Sequence, residues 1–409
     1  MPGAAWHNLK SRETWMLPYG KQTIDAHDVE AVLAAISSSM LTTGPAVSQF
    51  EARLAEATRS TSAVAVSSGT AALHAAFAAI GISEGDEVIV PAITFVATSN
   101  AVIYCGGTPV FADVDRDTLL VDPVDIESKI TPRTKAIVAM DYAGQPCDYD
   151  RLRAISDKHN LILIADSCHS LGASFKSHPI GSVADLTCFS FHPVKAITTC
   201  EGGAITTNDS ELAARMKRFR SHGIDNTHSQ RTQAGTHQYD MLTLGCNYRI
   251  SDLQCALGIS QITKLPAFID ARENIARIYQ KQFADIPFAS LLSKKTSRTS
   301  ANHIMVMKWD DQRSGVSRDE VFQYLRNQQI GVNVHYRPVY QHSWYQKRFG
   351  PNLTCPNSDA VYQQIITLPV FPLMKEIDVQ RVTQTLRQFA TSINHPAINQ
   401  QTASLSAAG

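Results

Sequence analysis

The sequence has 409 residues, of which 44% are apolar and 18% are charged, and Lys plus Arg equals Asp plus Glu at 37 each. This balance provides no long-range field that would attract nucleic acid or an anionic membrane surface, so a small-molecule partner is favoured. Single hydrophobic cores stop growing at about 250 to 300 residues, so the length predicts two domains.

The eight cysteines are scattered, with no CxxC pair and no spacing typical of a zinc site or a disulfide scaffold. They are interpreted as free thiols in a reducing cytoplasm, and no metal site is expected. The N-terminal stretch MPGAAWHNLKSRETWM lacks an apolar run of signal-peptide length, and the most apolar window, residues 63–82, is interrupted by polar residues. The sequence therefore predicts a cytoplasmic location without a membrane span.

From residue 62 to about residue 208, short β-branched runs alternate with helical segments. The strand-like runs are SAVAVSS, DEVIVPA, TPVFADVD, KAIVAMDYAG and LILIADS. They are too uniformly apolar to have one face in water, which predicts a parallel sheet covered by helices on both sides. Ligands of such sheets bind beyond the carboxyl ends of the strands, so the residues there are the candidates for chemistry.

A long helical pattern over residues 252–284, interrupted at Pro266, predicts a connection between two domains. Beyond it, strand-like HIMVMKW and IGVNVHY alternate with helix-like SRDEVFQYLRNQQ and DVQRVTQTLRQFATSI, which predicts a smaller α+β unit. We therefore expect a large domain over residues 17–250 and a connecting helix with a small domain over 251–395. Mobile tails are expected at 1–16 and 396–409.

The first candidate site is the turn Ser67-Ser68-Gly69-Thr70, which ends a predicted strand and begins a predicted helix. The free N–H groups and the positive dipole end of a helix N-terminus bind phosphate. A turn of this composition is more often only a helix cap, and it matches neither a P-loop nor a dinucleotide-binding fingerprint.

The second candidate is Asp166, the polar end of LILIAD. Acids in this position are commonly helix caps or members of ion pairs, but Asp166 also belongs to the sheet edge where ligands bind. A carboxylate beside the nitrogen of a pyridine ring keeps that nitrogen protonated, and the protonated ring then acts as an electron sink.

The third candidate is Lys195 in CFSFHPVKAITTCEGGAI. Most lysines are solvated surface cations. Lys195, however, lies among Phe189, Phe191 and Ile197, where desolvation would lower its pKa and favour the neutral amine that forms a Schiff base. Ser190 precedes it and offers a hydroxyl to a phosphate group.

The order of these features is what a pyridoxal-phosphate (PLP) site on a doubly wound sheet requires. Over roughly residues 17–390 the sequence resembles the DegT/DnrJ/EryC1/StrS family of PLP-dependent sugar aminotransferases. The resemblance implies the aspartate-aminotransferase type I fold, a mostly parallel sheet with helices on both faces and a smaller C-terminal α+β domain. The chain reads DSCH, CEGG and GCNYR where the family commonly has DAAH, GEGG and GYNYR, and none of these changes removes a group that the reaction requires.

The resemblance also implies a role for each matching position. Lys195 and Asp166 become the catalytic residues, with Lys195 forming the Schiff base and Asp166 pairing with the pyridine nitrogen. His169 matches a residue near the phenolic oxygen, and Asn247 matches an asparagine that reaches the phosphate of the neighbouring subunit, which implies a homodimer with shared sites. The implied cofactor contacts are Gly69, Thr70, Ala71, Phe95, Asp166, His169, Ser190, Lys195 and Asn247.

Within the family, FSFHPVKAITTCEGGAI, YAGQPCD and VNVHYRPVY are most similar to the branch that makes UDP-4-amino-4,6-dideoxy-N-acetyl-β-L-altrosamine on the way to pseudaminic acid. This similarity implies amino transfer from L-glutamate to C4 of a UDP-linked 4-keto-6-deoxy sugar. His335, Tyr336 and Arg337 are expected to reach the substrate, although a polar strand end explains them equally well.

Four alternatives remain to be weighed. The first is a related aminotransferase for another nucleotide keto-sugar, dTDP-linked or aminated at C3. The second is a PLP-dependent sugar dehydratase, against which Lys195 argues because that class has histidine in its place. The third is a PLP-binding regulatory protein, but the chain lacks a basic patch and a DNA-binding appendage. The fourth, a nicotinamide or methyl-transfer enzyme, would need a Gly-rich turn that SSGTAALH does not provide.

Overall fold

The computed structural model describes residues 16–226, 231 and 233–393. Of the tails expected at 1–16 and 396–409, all residues except Met16 lie outside the described residues. No helix in the described part of the chain is both long enough and apolar enough to cross a membrane.

The strands are β1 (Ser62–Val66), β2 (Glu87–Pro91), β3 (Thr108–Ala112), β4 (Thr134–Met140), β5 (Ile162–Asp166), β6 (Ser174–Phe175), β7 (His178–Pro179), β8 (Leu186–Ser190), β9 (Gly203–Thr207), β10 (Ala289–Leu291), β11 (Arg298–Thr299), β12 (Met305–Trp309) and β13 (Ile365–Leu368). They form a seven-stranded sheet in the order β1-β9-β8-β5-β4-β2-β3 and two three-stranded sheets, β10-β12-β13 and β11-β6-β7. In the large sheet β3, β2, β4, β5 and β8 are parallel, whereas β9 runs antiparallel to both of its neighbours. The predicted mostly parallel sheet of the large domain is confirmed.

The helices are α1 (Ala26–Ile36), α2 (Pro45–Thr58), α3 (Gly69–Ala79), α4 (Val96–Tyr104), α5 (Pro123–Ser128), α6 (Tyr149–His159), α7 (Ser210–Phe219), α8 (Asp252–Thr263), α9 (Leu265–Phe283), α10 (Asp311–Ser314), α11 (Arg318–Asn327), α12 (Ser343–Phe349), α13 (Pro356–Tyr362) and α14 (Glu376–Ile393). The predicted interruption at Pro266 is confirmed, since α8 ends at Thr263 and α9 places Pro266 in its first turn. Proline is favourable there because the first N–H groups of a helix have no intrahelical partner.

Both faces of the large sheet are covered. Along β1, Ala63 and Ala65 belong to one apolar core, while Val64 and Val66 belong to another. Because successive side chains of a strand point to opposite faces, this alternation shows a separate core on each side of the sheet. Two covered faces explain why the strands are apolar throughout.

One predicted strand is wrong. Residues 330–336, the IGVNVHY run, form no ladder but only isolated bridges, Leu17 with Ile330 and Asn333 with Thr367. Gly331 turns its N–H toward Leu17, donating a 2.7 Å hydrogen bond to the Leu17 carbonyl. The alternation of apolar residues in this run therefore reflects burial between two different neighbours and not pairing with one strand.

Candidate active site

Three strands of the large sheet end at one edge and bring polar side chains there. In the β4–β5 pair Met140 is opposite Asp166, so Asp141 follows directly beside it. In the β5–β8 pair Asp166 is opposite Cys188, and Ser190 ends β8 two residues later. Strand-end residues that are distant in sequence thus meet at the edge where α/β sheets bind ligands.

Asp166 is 2% exposed, and its hydrogen-bond partners are neutral. Its Oδ2 accepts a 2.6 Å hydrogen bond from the Thr98 hydroxyl, and its Oδ1 accepts one of 3.3 Å from the Cys168 N–H. Within the described residues no Lys, Arg or His side chain forms an ion pair with it. A buried carboxylate without a cation is costly, and a protonated ring nitrogen would supply the missing partner.

The turn before α3 lies against the end of β8. A Cβ atom on Gly69 would come within 2.8 Å of Ser190 Cβ, so only glycine allows this approach. Ser68 caps the helix by accepting a 3.1 Å hydrogen bond from the Ala71 N–H, which occupies one of the groups expected to bind phosphate. The N–H groups of Gly69 and Thr70 and the Ser190 hydroxyl make no hydrogen bond within the described residues, and Gly69 lies directly against Ser190.

Lys195 is partly buried in the loop between β8 and β9. Its N–H donates a 2.9 Å hydrogen bond to the His192 carbonyl, which fixes the backbone at this point. Burial lowers the pKa of the Lys195 ammonium, and the nearby Cys168 and Asp166 oppose that effect only in part. The amine is thereby made more nucleophilic than that of a surface lysine.

An aromatic cluster lies beside these groups. His169 is 2% exposed, its Nε2 is 2.9 Å from the Tyr336 hydroxyl, and its Nδ1 is buried without a hydrogen-bond partner. The His169 and His303 ring centroids are 4.4 Å apart. Burial and the nearby Lys195 hold the pKa values of both imidazoles well below the usual range, so both are neutral at pH 7.

Phe95 precedes α4 and is 55% exposed, although its ring lies 5.9 Å from that of Tyr336. A large apolar side chain that remains exposed beside a polar crevice is a ready surface for a flat ring. The structure thus brings Phe95, Asp166 and His169 to the same crevice as Lys195.

Of the residues expected to contact substrate, His335 is held by hydrogen bonds within the protein, whereas Arg337 is exposed. His335 is partly buried, its Nδ1 is 2.8 Å from the Thr367 hydroxyl, and its carbonyl accepts a hydrogen bond from the Tyr142 hydroxyl. Burial, together with Lys195, lowers its pKa to about 4. Arg337 is exposed and makes no hydrogen bond to the described residues, so it is accessible to a ligand.

Asn247 is exposed on the outer surface of the turn region. The next residue, Tyr248, accepts a 2.9 Å hydrogen bond from the Ser67 N–H, and its hydroxyl is 2.9 Å from His74 Nδ1. The GCNYR segment therefore runs beside the candidate phosphate turn of its own chain. Large apolar side chains are exposed just before it, namely Tyr239, Met241, Leu242 and Leu244.

Some residues of the crevice were not predicted. Asp141 had the same signal as Asp166, an acid at the end of a buried strand, and could have been found. Thr98 lies one helical turn after Phe95, whereas nothing in the local sequence marked Tyr142 or His303. No group of three or more His, Cys, Asp and Glu side chains in residues 16–226, 231 and 233–393 is arranged to hold a metal ion.

The sequence profile of the DegT/DnrJ/EryC1/StrS aminotransferase family matches residues 22–387. Among solved structures, the chain is 32% identical to Helicobacter pylori PseC, an aminotransferase involved in the biosynthesis of pseudoaminic acid, with a TM-score of 0.86 and coverage of 92% of this chain and 100% of that one. It is 29% identical to the PLP form of the sugar aminotransferase Spr1654 from Streptococcus pneumoniae, described as putative, with a TM-score of 0.86 and coverage of 93% and 100%.

A third similar structure is DesI in the presence of its TDP-sugar product, at 30% identity, a TM-score of 0.85 and coverage of 96% of both chains. Since the family profile spans nearly the whole described chain and these structures align over more than nine-tenths of it, the protein belongs to the DegT/DnrJ/EryC1/StrS aminotransferase family and is a PLP-dependent sugar aminotransferase.

Proposed function

We propose that this enzyme transfers an amino group from L-glutamate to C4 of a UDP-linked 4-keto-6-deoxy-N-acetylhexosamine and so forms a UDP-4-amino sugar. The observation that carries the choice of sugar is the 32% identity to the pseudoaminic acid aminotransferase over 92% of this chain. The sequence runs around Lys195 and His335 favour the same branch.

The crevice fits PLP in three respects. The N–H groups of Gly69 and Thr70 and the Ser190 hydroxyl have no hydrogen-bond partner within the described residues and would bind a phosphate group, and Gly69 has no side chain to crowd Ser190. Phe95 offers an exposed ring face for the pyridine ring. Asp166 is a buried carboxylate that forms no ion pair within the described residues, and a protonated pyridine nitrogen would supply one.

We propose that Lys195 attaches the cofactor covalently and moves the proton. When bound, PLP supplies an electron sink for the carbanion that forms beside the transferred nitrogen. The lowered pKa of Lys195 increases the share of neutral amine at Nζ, which is the form that attacks a carbonyl and that accepts a proton. Its partial burial also limits the access of water.

We propose that Asp166 pairs with the pyridine nitrogen and keeps it protonated. Its position is fixed from two sides by the Thr98 hydroxyl and the Cys168 N–H, so that the carboxylate does not have to reorganise during the reaction. The proposed role of His169, beside the phenolic oxygen, fits its buried Nδ1, which has no partner within the described residues.

We propose a homodimer whose active sites are shared, with Asn247 reaching the cofactor phosphate of the other subunit. The exposure of Asn247 and of the apolar side chains before it supports this arrangement, because exposed apolar clusters commonly mark contact surfaces. We also propose a cytoplasmic location, since all eight cysteines are free. We also propose that the chain folds as a large domain over residues 17–250 and a connecting helix with a small domain over residues 251–395.

A second candidate is amino transfer to a dTDP-linked keto-sugar or to C3. The similarity to DesI, whose structure holds a TDP-sugar product, favours it at 30% identity over 96% of this chain. The two candidates share the chemistry at Lys195 and differ in the groups that hold the nucleotide and the sugar.

A substrate panel distinguishes the candidates. Purified enzyme with PLP and L-glutamate is incubated with UDP- and dTDP-linked 4-keto-6-deoxy sugars and with a 3-keto sugar, and the products are identified by mass spectrometry and NMR. The proposal predicts that the UDP-linked 4-keto-6-deoxy-N-acetylhexosamine has the highest kcat/KM. A higher kcat/KM for a dTDP-linked or 3-keto substrate would contradict this proposal and support the second candidate.

A further inference from the structure

Asp141, which follows β4, is buried beneath the active-site edge of the sheet and has no exposed surface. Its Oδ1 accepts hydrogen bonds of 2.8 Å from the Cys147 N–H and 2.9 Å from the Tyr149 hydroxyl. Its Oδ2 accepts hydrogen bonds of 2.9 Å from the Ser167 hydroxyl and 2.7 Å from the Ser170 hydroxyl. A carboxylate that accepts four hydrogen bonds is fully committed to these neighbours.

The two serines bracket the turn that carries His169. Ser167 directly follows Asp166, and the Ser170 N–H donates a 3.0 Å hydrogen bond to the Ser167 carbonyl. Both serines are fully buried, and their hydroxyl groups converge on a single oxygen of Asp141. The carboxylate therefore fixes both ends of the turn, and with them the directions in which Asp166 and His169 leave the backbone.

The three residues after Asp141 contact His335 and His303, which come from the C-terminal part of the chain, and also His169. The Tyr142 hydroxyl donates to the His335 carbonyl, and the Ala143 carbonyl accepts a 3.0 Å hydrogen bond from the His303 N–H. Gly144, at φ +95°, leaves room for the His169 carbonyl, which a Cβ atom there would approach to 2.9 Å. One short segment thus contacts each of the three imidazole residues of the crevice.

A buried carboxylate at position 141 does not contribute favourably to the free energy of folding. Within the described residues Asp141 has no cationic partner, and burial raises its pKa to about 6 in spite of its four donors. Burying an unpaired charge opposes folding, so an apolar residue in this place would make the protein more stable. A fixed geometry of the adjoining turn is a benefit that apolar packing would not provide.

We infer that Asp141 is a positioning residue of the active site, whose carboxylate orients the Ser167–Ser170 turn and thereby aligns Asp166 and His169 with the cofactor. This inference rests on the proposed roles of Asp166 and His169. Asp141 itself touches neither substrate nor cofactor in this account, and it acts through the two serines.

The test uses the full-length enzyme and three changes at this link: Asp141→Ala, Asp141→Asn and the double change Ser167→Ala with Ser170→Ala. The amide of Asn can donate to both serine hydroxyls while its oxygen still accepts from Cys147 and Tyr149, so Asp141→Asn retains the geometry. The measurements are the PLP dissociation constant, kcat/KM, and the pH at which the absorption of the lysine-bound cofactor changes.

A matched control removes an equivalent bond elsewhere. Ser358 is fully buried and donates a 2.7 Å hydrogen bond to the buried Asp113, which follows the edge strand β3 and accepts hydrogen bonds from the first turn of α13. Ser358→Ala should lower thermal stability to a similar extent as the serine changes at 167 and 170. It should leave the cofactor absorption, its pH midpoint and the PLP dissociation constant at the wild-type values.

The account predicts that Asp141→Ala and the double serine variant lose about 100-fold in kcat/KM, as misalignment of about 1 Å is known to cost, bind PLP more weakly and shift the absorption midpoint. Asp141→Asn should retain most of the activity. The inference fails if the folded double serine variant matches the wild type, or if Asp141→Asn falls as far as Asp141→Ala. If a variant does not fold, the single variants Ser167→Ala and Ser170→Ala are measured instead. The inference fails if both have wild-type kcat/KM, PLP dissociation constant and absorption midpoint. A wild-type enzyme without lysine-bound cofactor would instead contradict the proposed function.

Discussion

The Thr98 hydroxyl donates a 2.6 Å hydrogen bond to Asp166 Oδ2, and the Thr94 hydroxyl lies 2.7 Å from the same Thr98 oxygen. All three side chains are at least 98% buried. Thr98 belongs to the first turn of α4, and Asp166 is the last residue of β5, so one helix and one strand define the position of the carboxylate. The hydrogen bonds from Thr94 to Thr98 and from Thr98 to Asp166 therefore hold the carboxylate from the side of α4, and a ligand can approach it from the crevice.

Replacement of Thr98 by Val should reduce kcat by about 10- to 100-fold, because a hydrogen bond to a charged acceptor contributes about 1.5–3 kcal/mol. Val has nearly the shape of Thr, so that packing changes little. Steady-state kinetics with glutamate and the best substrate of the panel measures the loss. Thr98→Ser keeps the hydroxyl and is the matched control; equal kcat values for the Val and Ser variants would rule out a role for this bond.

Replacement of Asp166 by Asn should leave PLP binding largely intact while lowering kcat by about 10³-fold, because the carboxylate charge matters mostly in the transition state. PLP content after gel filtration and single-turnover rates separate the two effects. A variant with near-normal kcat would reduce Asp166 to a structural role at the end of β5.

The sequence predicted the parts of the site that depend on local pattern. Asp166 and Ser190 end runs of buried strand residues, and parallel strands bring such ends together. The contact between His169 and Tyr336 spans 167 residues and depends on how the segment after residue 330 folds back. That segment was predicted as a strand, and its alternating pattern had another cause, burial between two separate neighbours. Long-range contacts of this kind leave no periodic signal in a single sequence.

The low pKa of His335 makes folding stability depend on pH. In the folded protein its pKa is about 4, and the ordinary value is 6.5, so the unfolded state binds more protons between these values. The free energy of unfolding should therefore fall as the pH drops from 7 to 4, by about 3 kcal/mol from this residue. The raised pKa of Asp141 acts in the opposite direction.

Urea unfolding of the apoenzyme at several pH values, for the wild type and His335→Gln, isolates this contribution. The glutamine side chain does not titrate, and all other groups are common to both proteins. The free energy of unfolding of the wild type minus that of His335→Gln should decrease by about 3 kcal/mol from pH 7 to pH 4. A difference that is the same at every pH would show that His335 titrates normally.

Shared active sites predict complementation between inactive variants. Lys195→Ala and Asn247→Ala should each be poorly active alone, but a mixed dimer has one site with both lesions and one with neither. Activity should rise toward about a quarter of the wild-type value after subunit exchange, since random mixing gives half of the dimers one intact site. Size-exclusion chromatography with differently tagged chains verifies exchange. Exchange without recovery would place Asn247 in the site of its own chain.

The central claim, that Lys195 carries the cofactor, is tested most directly by borohydride reduction of the PLP-loaded enzyme followed by peptide mass mapping. Reduction converts an imine into a stable amine and so marks the lysine that held PLP. Lys21 lines the same small cavity as Lys195 and serves as the internal control. The account predicts a pyridoxyl label on the peptide that contains Lys195 and none on the peptide that contains Lys21. A label on Lys21 or another lysine, or an unlabelled protein, would contradict it.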